Sequence, residues 1–379
     1  MSDLKDFDKP VSPLGVHSRE DYQETNKDLE HLNITSYGNP ILPPYPSNLI
    51  FKDAFYLPSG RVFLLESGDG YPLECTEMRD VSIGGKQHQE VRTSLDPHVI
   101  WKHLVSYRDK WLLTVSTQKG CQHFCHFCDC ASLPFKGNLT TLEIIDQVKF
   151  ILESTPYVKT CNKAKIGFAR MGEPAHNLEN VIAAIKHLPV MTKAAGKRFK
   201  WLPCFNSILP RKTVPDKYSG HYVIYEVMKT KEKDFNGFLH FQISCNSTDE
   251  DKRKELFGGA DVLTMKEIIT AVNECDVTNR TVTLNFIAMK GVPVDVEYLM
   301  KLGLNPKKFM VKLIPLNATN NAGEHKLETV ANYENYEDLV ELGKRFNHYG
   351  IPTCVDAIAK CEEAGLCCGQ LAHIFANGE

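Results

Sequence analysis

From about residue 109 the chain alternates between strand-like apolar runs and helix-like segments, and this alternation limits the fold more than any other feature. Six strand candidates, at 111–117, 164–170, 199–205, 238–245, 281–289 and 308–316, are separated by stretches with helical spacing of apolar residues. Thr140-x-x-Glu143 is a capping box ahead of a helix over 142–153, and Thr264-x-x-Glu267 opens a second that runs to Cys275. Residues 177–188, 294–302 and 333–347 have helical spacing as well. Repeated βα units imply a parallel sheet, because parallel neighbours need a crossover connection. Six units are too few to close an eight-stranded barrel, so the expected fold is α/β, a curved, partial (β/α)6 barrel. The stretch 211–236 is longer than one crossover helix needs and reads as an insertion, with Tyr222–Met228 as an extra strand.

In such an architecture chemistry collects in the loops at the C-terminal ends of the strands. The run Gln118-Lys119-Gly120-Cys121-Gln122-His123-Phe124-Cys125-His126-Phe127-Cys128 falls just after the first strand candidate. Its spacing is C-x3-C-x-aromatic-C. Three thiolates so placed can wrap one loop around a [4Fe–4S] cluster and bind three of its four irons. Clusters with four cysteine ligands are the usual electron-transfer type. A triplet leaves one iron open, and an open metal position implies a substrate or cofactor there. The bland alternatives are a zinc knuckle, or chance clustering among 13 cysteines. Zinc sites favour pairs of C-x2-C or C-x2/H-x3 type, and a C-x3-C-x2-C triplet with an aromatic inside it fits zinc poorly.

Composition sets the outer limits. A chain of 379 residues, 42% hydrophobic and 24% charged, suits one large soluble domain with an appendage. No run of eighteen apolar residues is present, so no membrane span or membrane partner is expected. The segment Met1–Phe7 lacks the basic and apolar regions of a signal peptide. An odd, unevenly spread set of cysteines argues for a reducing cytoplasm with metal or redox use rather than a disulfide scaffold. A net charge of −3 does not call for nucleic acid, and Lys193, Lys197, Arg198 and Lys200 read equally well as a solvated helix end. Residues 1–47 are polar, end in a proline-rich stretch and read as an extended arm. Residues 48–108 read as a small β-rich unit, with strands at Leu49–Phe51 and Arg61–Leu65 and turns at Pro58-Ser59-Gly60 and Asp69-Gly70, ahead of a core over 109–379.

The cysteine triplet resembles the signature of radical S-adenosylmethionine (SAM) enzymes. In that superfamily SAM chelates the open iron, and one electron from the cluster cleaves it to methionine and a 5′-deoxyadenosyl radical. Phe127 would then lie near the adenine of SAM. Three further segments narrow the resemblance: Gly137–Ile145, Arg170-Met171-Gly172-Glu173-Pro174-Ala175-His176-Asn177 and Cys367-Cys368-Gly369-Gln370-Leu371-Ala372. With the triplet, they are similar to the radical SAM methyltransferases that modify C2 or C8 of adenine in ribosomal and transfer RNA, over residues 109–375. The resemblance implies that Gly172 and Glu173 bind the amino end of SAM, as a carboxylate pairs with an ammonium. It also implies SAM contacts for Ser244, Asn246 (where the family has histidine) and Asn317. Cys368 would take a methyl group from one SAM, and the radical from a second would activate that methyl for addition to adenine. Cys367 beside it is the alternative counterpart. The implied partners are an adenine-containing substrate, RNA among them, and an electron donor such as flavodoxin or ferredoxin. Nothing in the sequence sets an oligomeric state.

The chain also departs from the family. A second cysteine that releases the product is expected seven residues before Cys121, and Thr114 stands there. Cys204 and Cys245, at the ends of the third and fourth strand candidates, are the first candidates to replace it, and Cys130 after the cluster loop could also approach the site. Residues 1–108 lack the amphipathic helices of the family's RNA-binding domain, and Cys361-Glu362-Glu363 is acidic where the family is basic. Two other readings follow: a radical SAM enzyme acting on a different, small substrate without methylation, or a non-catalytic iron–sulfur protein. A second metal centre on Cys354, Cys361, Cys367 and Cys368 fits no motif.

Overall fold

The computed structural model of the protein describes residues 49–80, 97–331, 335–356 and 367–376. The arm expected over 1–47 and the acidic Cys361-Glu362-Glu363 lie outside the described residues. The chain opens with an antiparallel meander, β1 (Leu49–Leu57), β2 (Gly60–Ser67) and β3 (Pro72–Met78), turned at the two predicted sites. A short helix, α1 (Pro97–Trp101), leads to β4 (Trp111–Val115), and β3 pairs antiparallel with β4. The β-rich unit thus continues directly into the main sheet.

From β4 onward every neighbour in the main sheet is parallel: β7 (Thr160–Gly167), β8 (Arg198–Ser207), β9 (His240–Ser244), β10 (Val282–Ala288), β11 (Phe309–Pro315) and β12 (Thr353–Val355). Between β4 and β7 the two-residue strands β5 (Gln118–Lys119) and β6 (Gly137–Asn138) close a small ladder across the cysteine loop. Six parallel strands match the expected set within a few residues. The seventh, β12, was not expected, because three residues show no period.

Helices follow the strands: α2 (Thr141–Ser154), α3 (Leu178–Ala194), α4 (Gly220–Asp234), α5 (Glu250–Leu256), α6 (Met265–Glu274), α7 (Val296–Lys301), α8 (Asn320–Glu324), α9 (Glu337–His348) and α10 (Gln370–Ala376). Both predicted capping boxes form. In α2, Glu143 N donates to Thr140 Oγ1 (3.2 Å) while Thr140 N donates to Glu143 Oε2 (2.8 Å), and Thr264 and Glu267 do the same in α6. α3 does not stop at Leu188 but runs through Pro189 to Ala194. A proline costs one backbone bond, and the buried Leu188 and Thr192 hold the helix together on either side of it.

The expected extra strand at Tyr222–Met228 is instead the first half of α4. Its β-branched and aromatic content suggested a strand, but Val223, Ile224, Val227 and Met228 are the buried residues, a helical spacing, while Tyr222 and Tyr225 are exposed. Ser219 caps the start by accepting from Tyr222 N (3.2 Å). One continuous apolar cluster joins the meander to the parallel sheet and its helices. Among the described residues, no helix is long and apolar enough to cross a membrane.

Candidate active site

The cysteine loop leaves β5 through Gly120, whose φ of +75° and approach to Pro134 exclude a side chain: a Cβ there would stand 2.7 Å from Pro134 O. Residues nearly two hundred positions away then hold the loop in place. Asn321 Nδ2 donates to the carbonyls of Cys125 (3.0 Å) and Cys128 (3.2 Å). The carboxylate of Asp129 accepts the N–H groups of Asn320 (3.2 Å) and Asn321 (3.0 Å). Thr319 Oγ1 donates to Phe127 O (3.2 Å), and His126 N donates to Leu256 O at the end of α5 (2.9 Å).

At the C-terminal ends of β4, β7, β8 and β9 lies a cavity of about 130 Å³. It gathers Cys121, Cys125, Cys128, Phe127, Gly172, Glu173, Ser244 and Cys368, eight of the ten residues singled out in the sequence. Gly172 has φ +94°, and a Cβ there would overlap the Gln118 side chain at 2.5 Å. Gln118 Oε1 in turn accepts Glu173 N (2.8 Å). The Glu173 carboxylate is buried and receives three donors, Ser207 Oγ (2.5 Å), Ala175 N (3.0 Å) and Ile208 N (3.1 Å). All three are neutral. Burial therefore dominates and pushes the Glu173 pKa up to about 7, with the hydrogen bonds opposing. A buried carboxylate of this kind is complementary to a cationic ligand group.

Asn246 and Asn317 do not line the cavity. Asn246 is fully buried in a left-handed turn (φ +61°). Its Oδ1 accepts Ile287 N (3.3 Å), and its Nδ2 has no partner among the described residues. Asn317 is exposed just beyond β11, and its carbonyl accepts Thr319 N (3.0 Å).

Cys368 enters the cavity from the turn before α10. Arg170 Nη1 donates to its sulfur (3.8 Å), and Arg170 Nε is ion-paired with the buried Glu74 of β3 (2.6 Å). Glu74 also accepts Gly369 N (3.0 Å) and Ala372 N (2.8 Å). Cys130 lines the same cavity, with Sγ donating to Arg170 O (3.6 Å). A Cβ on Gly369 would lie 2.5 Å from that sulfur, so the Cys368 turn rides directly on Cys130.

Thr114 shares a hydrogen bond with Thr76 (2.6 Å). In register it belongs to the row Thr114, Gly167, Cys204, His240, and register partners share a face of the sheet. Cys204 sits one residue pair below the cavity, its thiol at Asn206 Oδ1 (2.9 Å). Cys245 turns its sulfur to Ile243 O (3.4 Å) and does not line the cavity. Among the described residues, no three His, Cys, Asp or Glu side chains converge on one single-ion position.

Sequence reasoning did not single out Arg170 or His123, although both lie in quoted segments, and missed Glu74 altogether. His123 lines the cavity with its Nε2 at 2.8 Å from His176 Nε2. Val214 N donates to His176 Nδ1 (3.0 Å), which puts the His176 proton on Nε2 and makes His123 the acceptor. Burial lowers both imidazoles, to about 4 for His123 and about 3 for His176, so the pair is neutral near pH 7.

No protein-family model matches the chain. The chain is similar to a protein of Aquifex aeolicus named a probable dual-specificity RNA methyltransferase RlmN, 30% identical over 281 residues and covering 73% of each chain. The RlmN enzymes of a Sulfurovum species (26% identical, 84% of this chain and 79% of the relative) and of Campylobacter hominis (27%, 90% and 89%) are similar over more of its length. A crystal structure of a radical SAM methyltransferase from Sphaerobacter thermophilus superposes with a TM-score of 0.58, at 20% identity, over 86% of this chain and 81% of that one. That likeness establishes the barrel fold, and the first relative establishes descent. On its likeness to these relatives the protein belongs to the RlmN family of dual-specificity RNA methyltransferases.

Proposed function

We propose that the protein methylates an adenine-like base, in RNA as its relatives' names indicate, using a [4Fe–4S] cluster on Cys121, Cys125 and Cys128 and a methyl group relayed through Cys368. One observation carries the reading: a single cavity gathers the three loop thiols, a buried carboxylate with only neutral donors, and the Cys368 thiol. When bound, the cluster supplies the electron that cleaves SAM, and SAM supplies the methyl group. The protein's own groups do the rest. Glu173 holds the ammonium end of SAM, with Gly172 allowing the close approach. Phe127 and Ser244 shape the wall beside it. Asn246, whose Nδ2 has no partner among the described residues, and Asn317 stand outside the cavity and are assigned no direct role. The electron comes from a protein donor of flavodoxin or ferredoxin type. All twelve described cysteines are free thiols, in keeping with a reducing cytoplasm.

Cys130 is the thiol that takes the place left by Thr114. It shares the cavity with Cys368, whereas Cys204 lies below it and Cys245 turns away. The test is anaerobic incubation of the cluster-loaded protein with SAM, a reductant and RNA. Mass spectrometry of the nucleosides and of the C-terminal peptide should find methyladenine and a methyl thioether on Cys368. Cys130→Ala should trap a covalent protein–RNA adduct on denaturing gels. Release of 5′-deoxyadenosine with Cys368 unmodified would overturn the methyl-relay reading. Alanine in place of Cys121, Cys125 or Cys128 should remove the cluster's visible absorbance and SAM cleavage together.

A further inference from the structure

The chain carries a net charge of −3, but one concave surface has the opposite sign. A cleft of about 720 Å³ opens where β7 and β8 begin, bounded by the last turn of α3 and by the segment before β4. Arg108, Lys193, Lys197, Arg198 and Lys200 line it, and no carboxylate does. These cations come from separate segments, so the basic run noted in the sequence is not one helix end. Lys193 closes α3, Arg198 and Lys200 open β8, and Arg108 is brought alongside by the bond from Asn162 N to its carbonyl (2.6 Å). Lys197 is taken up by the fold: it is buried, and its Nζ donates to Thr155 O (3.1 Å) and Val158 O (2.7 Å). The other four are exposed, and none of them is in an ion pair among the described residues. Lys159 stands exposed beside them, its carbonyl accepting Arg198 N (2.9 Å). Asp109, next to Arg108, is outside the cleft and accepts Ser106 Oγ (2.6 Å). Charges of one sign in a concavity with low-dielectric walls focus their field and draw anions.

We propose that this cleft is a second contact for RNA, gripping the phosphate backbone at a distance from the base that is methylated. The inference rests on the reading above that RNA is the substrate. β8 begins in the cleft with Arg198 and Lys200 and ends in the active-site cavity with Asn206 and Ser207. From Lys200 to Asn206 is six residues and from Arg198 to Ser207 nine, so at about 3.3 Å per residue the two sites stand roughly 20–30 Å apart. A folded RNA can span that distance, whereas a short single strand held in the cavity does not. The cleft suits a chain of phosphates better than one small anion. α3 turns its C-terminal end toward it, and the carbonyl end of a helix disfavours an anion seated deep against it. Phosphates are instead held at the rim by side-chain heads on flexible stems, contacts that position a nucleic acid without reading its sequence. An acidic electron donor fits this face poorly, because it has to approach the cysteine loop at the other end of the strands.

The experiment follows binding of fluorescently labelled bulk transfer RNA and ribosomal RNA to the cluster-loaded full chain by anisotropy, over a series of salt concentrations. A short single-stranded oligonucleotide containing adenine, which engages the cavity alone, is the comparison probe. Lys193→Gln, Arg198→Gln and Lys200→Gln together should reduce the slope of log affinity against log salt by about two to three, roughly one for each phosphate contact removed. Affinity for the folded RNAs should fall about ten- to a hundredfold at low salt, while SAM binding and oligonucleotide binding stay as they are. Arg108→Gln, on a separate segment, should take about one from the slope by itself. Lys197 is left in place because its Nζ holds two backbone carbonyls. Should the triple variant fail to fold, Arg108→Gln and Lys200→Gln carry the test. Slopes and affinities that match the native protein in the folded variants, or a native protein that binds neither folded RNA, overturn the proposal. Loss of binding to a flavodoxin or ferredoxin with RNA binding intact also overturns it, making the cleft a protein-docking face. A reduced slope supports the proposal even if no RNA is ever methylated, in which case it is the methyltransferase reading that fails.

Discussion

Strand β3 carries two buried carboxylates three residues apart, each paired with an arginine, and the two pairs do different work. Glu77 accepts Arg61 Nε (2.8 Å), Trp111 Nε1 (3.1 Å) and Tyr107 OH (3.3 Å), and Arg61 Nη2 donates to Ser154 O at the end of α2 (3.4 Å). Every group in that network belongs to the scaffold joining the meander to β4 and α2. Glu74 and Arg170 are as deeply placed, but their contacts run to Cys368 and to the turn that carries it. Odd spacing on a strand sends the two side chains to opposite faces, one into the packed layer and the other toward the strand ends. Burial alone therefore does not separate structure from chemistry here. What separates them is whether the arginine's remaining donors meet a backbone carbonyl or a reactive atom.

The contrast can be broken most forcefully at the scaffold pair. Glu77→Leu or Arg61→Met alone leaves an unpaired buried charge, a change worth about 3–5 kcal/mol. Denaturant unfolding should show that loss, and the double variant should recover most of it. A single variant losing under about 1 kcal/mol would mean the pair does not hold the meander down.

Glu173 offers a third kind of buried carboxylate, one held by three neutral donors. Its pKa rises from an ordinary 4.5 to about 7 on burial. Between those values the folded protein keeps a proton that the unfolded chain has lost, so stability falls as pH rises through the window. Glu173→Gln should flatten that fall in thermal unfolding of the SAM-free protein. The same change should weaken SAM binding by about 1.5–3 kcal/mol, the worth of a charge-assisted hydrogen bond. Identical pH profiles in both proteins would rule out an ionisable Glu173.

Glu74→Gln sharpens the comparison directly. It should lower stability by about 1–3 kcal/mol, since an amide still accepts one bond, and it should speed hydrogen exchange at Gly369 N and Ala372 N, whereas Glu77→Gln should leave those two amides untouched. The smallest effect belongs to Thr114→Val, which removes one hydroxyl pair with Thr76. It should cost about 0.5–1.5 kcal/mol by unfolding and leave SAM cleavage unchanged. A lost activity there would give Thr114 a role that its hydrogen bond does not indicate.

What could be foreseen from the sequence was local. Six strands, two capping boxes and the cysteine loop are written in runs of a dozen residues or fewer, and the structure reproduces them. Segments whose propensity and spacing disagree misled: Tyr222–Met228 has strand-like residues at helical intervals, and burial of its apolar stripe decided the outcome. Helical spacing was legible only over 177–188, and tertiary packing carried α3 past Pro189 to Ala194. The Arg170–Cys368 contact spans 198 positions and the Glu74–Gly369 bond spans 295, distances at which no spacing rule operates. Eight of the ten singled-out residues nevertheless met in one cavity, because strand ends are a place that topology designates in advance.

The clamp on the cysteine loop has a consequence for the order in which this protein is made. Cys125 and Cys128 are synthesised some 193–196 residues before Asn321, whose side chain fixes both carbonyls. A ribosome adding roughly 5–20 residues per second takes about ten seconds or more to cover that span. Throughout that interval the loop lacks Thr319, Asn320 and Asn321 to hold its shape. Any iron–sulfur delivery to these thiols thus meets a finished receptor only once β11 and α8 have emerged. On the proposed assignment of a cluster to Cys121, Cys125 and Cys128, its receptor is completed late in translation, long after the three thiols have been made.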